Sequence, residues 1–253
     1  MELELKEIKQ LLEFKHDLYN RIEFIEEDPV SVPHLFSLKE DIEISGFLTA
    51  TISWGQRKTI LNNAKQLLKQ MDFSPFEFIT GAGPNDINRF KTFTHRTFNG
   101  MDCEFFIQSL KNIYVNHGGL EKAFSSADDI KSCIINFRNL FFSVPHPVRT
   151  QKHVADPGAG ASAKRINMFL RWMVRKDMRG VDFGIWDSLK PSMLYCPLDL
   201  HTGNVARKLG LIRRKQNDWR ALEELMFYLR QFDPDDPVKY DFALFGLGIY
   251  ENF

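Results

Sequence analysis

Asp156-Pro-Gly-Ala-Gly-Ala-Ser-Ala-Lys164-Arg-Ile-Asn-Met-Phe-Leu-Arg-Trp172 is the stretch on which the reading of this chain turns. Proline and two glycines write a turn, and beyond it Ile166, Phe169, Leu170 and Met173 recur at helical spacing. The other faces of that helix carry Arg165, Arg171, Arg175 and Lys176, a local basic cluster. A lysine therefore stands at the start of an amphipathic helix fed by a glycine turn. A second run, Cys196-Pro-Leu-Asp199-Leu-His-Thr-Gly-Asn-Val-Ala-Arg-Lys-Leu-Gly-Leu211, does the same with an aspartate: Asp199 precedes a helical stretch ending at Gly210 and is its N-cap by position.

Outward from these runs the chain reads as helix after helix. Ile8, Leu11, Leu12, Leu18 and Tyr19 mark one in the first twenty residues; Ile44, Phe47, Leu48 and Ile52 mark a second from Lys39, and Ile60, Leu61, Ala64, Leu67, Leu68 and Met71 a third, with Gly55 as the break between them. Residues 81–100 lack a clean period and read as loops and short turns. Asp102 is expected to cap a helix through Phe106, Leu110, Ile113 and Tyr114, residues 126–142 form another, and Val144-Pro-His-Pro-Val breaks regular structure. Trp219, Leu222, Met226 and Leu229 define a later helix, and Pro237 opens a final one with Phe242, Leu244, Phe245 and Leu247. No alternating strand of useful length is present, so the expected class is all-α. One helical protein spanning 1–253 is expected, its lobes falling at about 41–142 and at 1–40 plus 143–253, around a cleft.

Composition narrows the function. At 253 residues and 43% apolar content there is enough material for a substantial core. Lysine plus arginine equals aspartate plus glutamate, 33 each, so any nucleic-acid surface comes from local clustering. Cys103, Cys133 and Cys196 are too scattered for an all-cysteine metal site, and no two histidines stand at zinc-binding helical spacing with a third ligand nearby, so no metal is assigned. The charged start Met-Glu-Leu-Glu-Leu-Lys-Glu is unlike a secretory signal and no run is long enough to span a bilayer; a soluble cytoplasmic protein without a membrane role is expected.

Each singled-out residue has a plain role beside a chemical one. Lys164, near the positive end of a helix dipole and beside Arg165, is favoured toward its neutral, nucleophilic form; it also fits a solvated lysine. Gly158 and Gly160 let backbone N–H groups approach a phosphate closely; they also fit a flexible loop. Asp199 is a cap and, as a fixed carboxylate, a stabiliser of developing positive charge. Trp54 is a core residue or a stacking platform. His201 fits a hydrogen-bond partner of the aspartate turn or plain surface, and Trp172 and Phe245 fit the core or the wall of a pocket for an extruded base. Arg207, Arg213, Arg214 and Lys215 join Arg165, Arg171 and Arg175 as phosphate-contact candidates or solvated charge.

The two runs together resemble the catalytic half of the helix-hairpin-helix DNA glycosylases, the 8-oxoguanine glycosylase branch included. Leu198-Asp199-Leu-His201, with Arg207 and Leu209-Gly-Leu211 following, is similar to that superfamily's Val-Asp-x-His turn; Gly158, Gly160 and Lys164 resemble its hairpin glycines and Schiff-base lysine. Phe47-Leu-Thr-Ala-Thr-Ile-Ser-Trp-Gly-Gln-Arg-Lys-Thr-Ile60 is similar to its early helix, which makes Trp54, Gln56 and Arg57 candidates for contacting or filling the DNA. The chain as a whole looks closest to a bacterial family known only as a domain of unknown function. Three departures stand out: Ala161, Ser162 and Ala163 intervene between the last glycine and the lysine; Pro145, Pro147 and Pro157 replace a Leu-Pro-Gly entry; and the 35-residue separation of Lys164 from Asp199 makes 177–195 an insertion.

The resemblance implies a base-excision glycosylase, with AP lyase activity, acting on a flipped damaged base such as an oxidised purine in duplex DNA, with Lys164 as nucleophile, Asp199 assisting and no cofactor required. Two other expectations stay open: a non-catalytic nucleic-acid binder of the same architecture, and a helical interaction protein.

Overall fold

The computed structural model describes residues 4–253, and it is built of helices. In chain order they are α1 (Leu5–Tyr19), α2 (Lys39–Thr51), α3 (Arg57–Lys69), α4 (Pro75–Gly81), α5 (Pro84–Ile87), α6 (Gly100–Asn116), α7 (Leu120–Phe124), α8 (Ile130–Phe141), α9 (Lys164–Val174), α10 (Leu200–Lys208), α11 (Trp219–Phe232) and α12 (Tyr240–Tyr250). Short 3-10 turns punctuate them. Between α5 and α6, β1 (Thr94–His95) pairs antiparallel with β2 (Phe98–Asn99), with Thr94 opposite Asn99 and His95 opposite Phe98. The all-α class follows. Among the described residues no helix is long and apolar enough to cross a membrane.

The chain divides into two compact units, Glu27–Ala155 and Asp156–Phe253, the latter joined by the residues up to Glu26. In the Glu27–Ala155 unit, α2 is buried on every face from Ile42 to Thr51, the mark of a central helix. Phe47 on α2 meets Phe137 and Phe141 edge-on, each at 5.5 Å, and Phe124 stacks on Phe137 at 3.8 Å. Such offset and edge contacts add about 0.5–1.5 kcal/mol per pair beyond the burial itself. Gly55 (φ +109°) lies in the break between α2 and α3.

Three boundaries differ from the sequence reading. The cap of α6 is Asn99, whose side chain accepts the Met101 N–H at 3.2 Å; Asp102 instead stands three residues on and accepts the Asn99 N–H at 3.0 Å, forming a reciprocal capping box. Helix α8 begins only at Ile130, because Asp129 accepts the Ser132 N–H at 2.9 Å and is the stronger N-terminal stop than Ser126. Helix α4 was not legible at all: Ser74 supplies no side-chain cap, and Asp41 on α2 accepts the Phe76 N–H at 2.8 Å in its place.

In the other unit α1 and α10 both pack on α12. The predicted insertion is irregular but ordered: Val181, Trp186, Leu189 and Leu194 are buried, and the Phe183 and Ile185 N–H groups donate to the carbonyls of Trp172 and Met173, each at 2.8 Å. Those bonds satisfy carbonyls that the end of α9 would otherwise leave open.

A candidate lysine–aspartate site

Lys164 is the first residue of α9 and Asp199 the residue before α10, and the fold brings Lys164 Nζ to 3.3 Å from Asp199 Oδ2. Asp199 Oδ1 accepts the Thr202 N–H at 2.8 Å, so one carboxylate oxygen caps the helix and the other faces the amine. The Lys164 side chain is 35% exposed and that of Asp199 15%, so the pair lies at the edge of the buried interior. Ala163, immediately before the lysine, adopts the left-handed conformation (φ +49°), costly for a residue with a Cβ, and offers no side-chain cap.

The glycine turn differs from an open phosphate cradle. Asp156 Oδ1 accepts the N–H groups of Gly158 (2.8 Å) and Ala159 (3.3 Å), while those of Gly160 and Ala161 donate to the carbonyls of Pro157 and Asp156. The carboxylate of Asp156 thus occupies the concavity that the sequence reading gave to phosphate. The outer edge of the turn is held as well: the Trp219 N–H donates to the Gly160 carbonyl at 2.9 Å, and Ala161 bridges Asp218.

Asn217 holds the aspartate side. Its Nδ2 donates to the Asp199 carbonyl at 2.7 Å, alongside the helical Gly203 N–H at 2.9 Å. Arg207 is half-buried and internally engaged: Nη2 donates to Asn217 Oδ1 at 2.5 Å and Nε to the Arg214 carbonyl at 2.8 Å. Gly203 leaves no room for more, since a Cβ there would lie 2.7 Å from Asn217 Oδ1 and 2.8 Å from Arg207 Nη1. Sequence reading missed Asn217 and Asp156; their only local signals are a polar residue before a helix and an Asx-type turn.

The basic face predicted on α9 needs correction. Arg171 and Arg175 are buried, not phosphate-facing. Arg171 pairs with Asp182 (3.2 Å) and Asp241; Arg175 pairs with Asp177 (2.6 Å), Asp182 (3.2 Å) and Asp236 (2.9 Å). Both guanidinium groups lie over the Phe242 ring. Four carboxylates against two guanidiniums leave an excess of negative charge. Burial, against the pull of Arg171 and with Asp199 adding repulsion, pushes the Asp241 carboxyl up to about 6. Nearby, burial, reinforced by Arg175, pushes the His16 imidazole down to about 4.

Arg165 is half-buried, and burial lowers its guanidinium to about 10, still charged at neutral pH. His201 is exposed; Trp172 is wholly buried with its indole N–H lacking a hydrogen-bond partner; Phe245 is half-buried beside Phe24. Arg213 and Lys215 are exposed, while Arg214 pairs with Asp218. In the Glu27–Ala155 unit, Trp54 is half-buried, edge-on to His95 at 5.0 Å and stacked near His153 at 5.9 Å; its carbonyl lies 3.1 Å from His95 Nε2. Gln56 is exposed and Arg57 lies 3.9 Å from Glu27. Among the described residues no three His, Cys, Asp or Glu side chains converge as metal ligands.

The fold and site together define an all-α protein in which two helix starts join a lysine to an aspartate at the surface of one unit. The chain belongs to the family described as Protein of unknown function (DUF2400), which it matches over residues 28–250. No curated protein and no solved structure matches it.

Proposed function

We propose that the protein is a DNA glycosylase of helix-hairpin-helix type with AP lyase activity, working on a base swung out of the duplex. The observation that carries this reading is the 3.3 Å approach of Lys164 Nζ to Asp199 Oδ2 from opposite ends of a 35-residue separation, each at the helix start where the resemblance puts the nucleophile and its assistant. In the reaction Asp199 accepts a proton from Lys164, and the amine forms a bond to the sugar C1′ as the glycosidic bond breaks and the base leaves with its electron pair and takes up a proton. Opening of the sugar ring gives an imine, and loss of the C2′ proton then expels the 3′ phosphate. Borohydride, which reduces the imine to a stable amine, tests this directly. A covalent adduct on abasic-site or damaged-base duplexes, lost in Lys164→Ala, is expected; no adduct on any of them ends the lyase reading.

The same 3.3 Å approach also suits a structural ion pair, which is the second reading, a non-catalytic nucleic-acid binder. On that reading Lys164→Ala weakens DNA binding modestly, lowers its salt dependence and abolishes no reaction.

A further inference from the structure

We infer that Asn217 is a positioning residue for the lysine–aspartate pair, and that Arg207 serves as its brace instead of contacting phosphate. This rests on the reading of Lys164 and Asp199 as the reacting pair.

The Asp199 carboxylate oxygen turned away from Lys164 and the Asp199 carbonyl oxygen both have fixed partners. Oδ1 is held by the Thr202 N–H, and the carbonyl by the Gly203 N–H and Asn217 Nδ2. Of these, Asn217 alone comes from outside α10 and its first turn. It therefore sets where that helix start sits relative to the rest of the unit. The next two residues reach the other partner's turn: Asp218 bridges Ala161, and the Trp219 N–H holds the Gly160 carbonyl. Three consecutive residues thus grip both the segment leading into Lys164 and the segment ending at Asp199. An amide side chain suits this place because it donates to the Asp199 carbonyl while its own oxygen accepts from Arg207 Nη2, and Arg207 is itself anchored by Nε on the Arg214 carbonyl. The bare Cα of Gly203 is what lets Asn217 and Arg207 lie flat against α10.

Two readouts test this, one of them independent of DNA chemistry. The first is the acylation rate of Lys164 by a water-soluble N-hydroxysuccinimide ester, followed by peptide mass spectrometry. Acylation consumes the neutral amine and an ion-paired ammonium is slow, so loosening the pair speeds it. Asn217→Ala is expected to raise Lys164 labelling severalfold relative to other lysines of the same chain, as Asp199→Asn does. Unchanged labelling in Asn217→Ala alongside a rise in Asp199→Asn overturns the inference. The second is single-turnover borohydride trapping on an abasic-site duplex. A displacement on the ångström scale lowers the trapping rate by up to about 10²-fold, while affinity for a duplex with a tetrahydrofuran abasic analogue stays at the wild-type level. Equal loss of affinity and rate assigns Asn217 to DNA binding and overturns the positioning role. Should Asn217→Ala fail to fold, Arg207→Lys removes the brace and is read in the same two assays. A wild-type protein that forms no adduct sinks the proposed function, and the labelling result then decides the positioning role by itself.

Discussion

Arg171 on α9 and Asp241 on α12 form an ion pair in the interior of their unit, with the Asp241 carboxylate also accepting from the Cys196 thiol at 3.5 Å. The guanidinium is simultaneously bound by Asp182, and the same Asp182 reaches Arg175. Two helices and two loops meet in this cluster, so its titration is coupled to folding.

His16 and Asp241 make opposed contributions to the pH dependence of stability. His16 has a folded pKa of about 4 against about 6.5 unfolded, so the unfolded chain binds more protons and stability falls as pH drops through that interval. Asp241 has a folded pKa of about 6 against about 3.9 unfolded, so there the folded chain binds more protons and stability rises as pH drops. The two offset each other. His16→Gln, whose amide can still donate to the Lys239 carbonyl that His16 now contacts at 3.0 Å, is expected to tilt the thermal midpoint toward higher stability at acid pH. Asp241→Asn tilts it the other way. Melting curves of the three proteins across that interval check the signs; parallel profiles refute them.

Asp102 is fully buried and accepts from Arg149 (2.8 Å), Thr150 (2.8 Å) and the Asn99 N–H (3.0 Å), with His153 at 3.3 Å. Burial alone raises such a carboxyl, but these donors outweigh it and hold it well below the usual range. Asp102→Ala takes the acceptor from the buried Thr150 hydroxyl and the counter-ion from half-buried Arg149, and is expected to cost about 3 kcal/mol or more in chemical denaturation. The gap between wild type and variant narrows as pH falls below about 3.9, where the unfolded aspartate protonates.

Gly246 on α12 faces Tyr19 so closely that a Cβ would lie 2.1 Å from the ring. That ring is held in place by stacking on Tyr250 at 5.4 Å and by its hydroxyl bond to Glu251. Gly246→Ala is expected to destabilise the protein by about 1–3 kcal/mol through overpacking between α1 and α12. A second change, Tyr19→Leu, recovers part of that loss in the double variant.

Arg213 and Lys215 are the exposed cations of the loop between α10 and α11. On the nucleic-acid readings, replacing both with alanine lowers the slope of log affinity against log salt by about 2, near 0.9 per phosphate contact. Titrations of a duplex at several salt concentrations measure it, and an unchanged slope removes this loop from the interface.

Much of the helical framework was legible because its signals are local. The apolar periods of α2, α3, α9 and α11 and the cap at Asp199 lie within a few residues of what they specify. What escaped depends on partners distant in the chain: Asp41 starting α4, Asn217 holding the Asp199 carbonyl, and the aspartates that draw Arg171 and Arg175 inward. A helical wheel sets those arginines opposite the apolar stripe, which is correct, yet cannot show that the opposite face is also covered. One clue was present. Asp241 lies in the apolar run Tyr-Asp-Phe-Ala-Leu-Phe, and a carboxylate there calls for a buried cation.

The irregular connection from α9 to α10 has a consequence for how this unit tolerates change. It carries Asp177 and Asp182 into the ionic cluster, closes the carbonyls at the end of α9, and plugs the interior with Trp186 and Leu194. Trimming it would take two of the four carboxylates away from the buried guanidinium groups, leaving Asp236 and Asp241 alone to pair them, and would open a void. Its length is therefore a fixed dimension of the unit, like a mortared course in a wall.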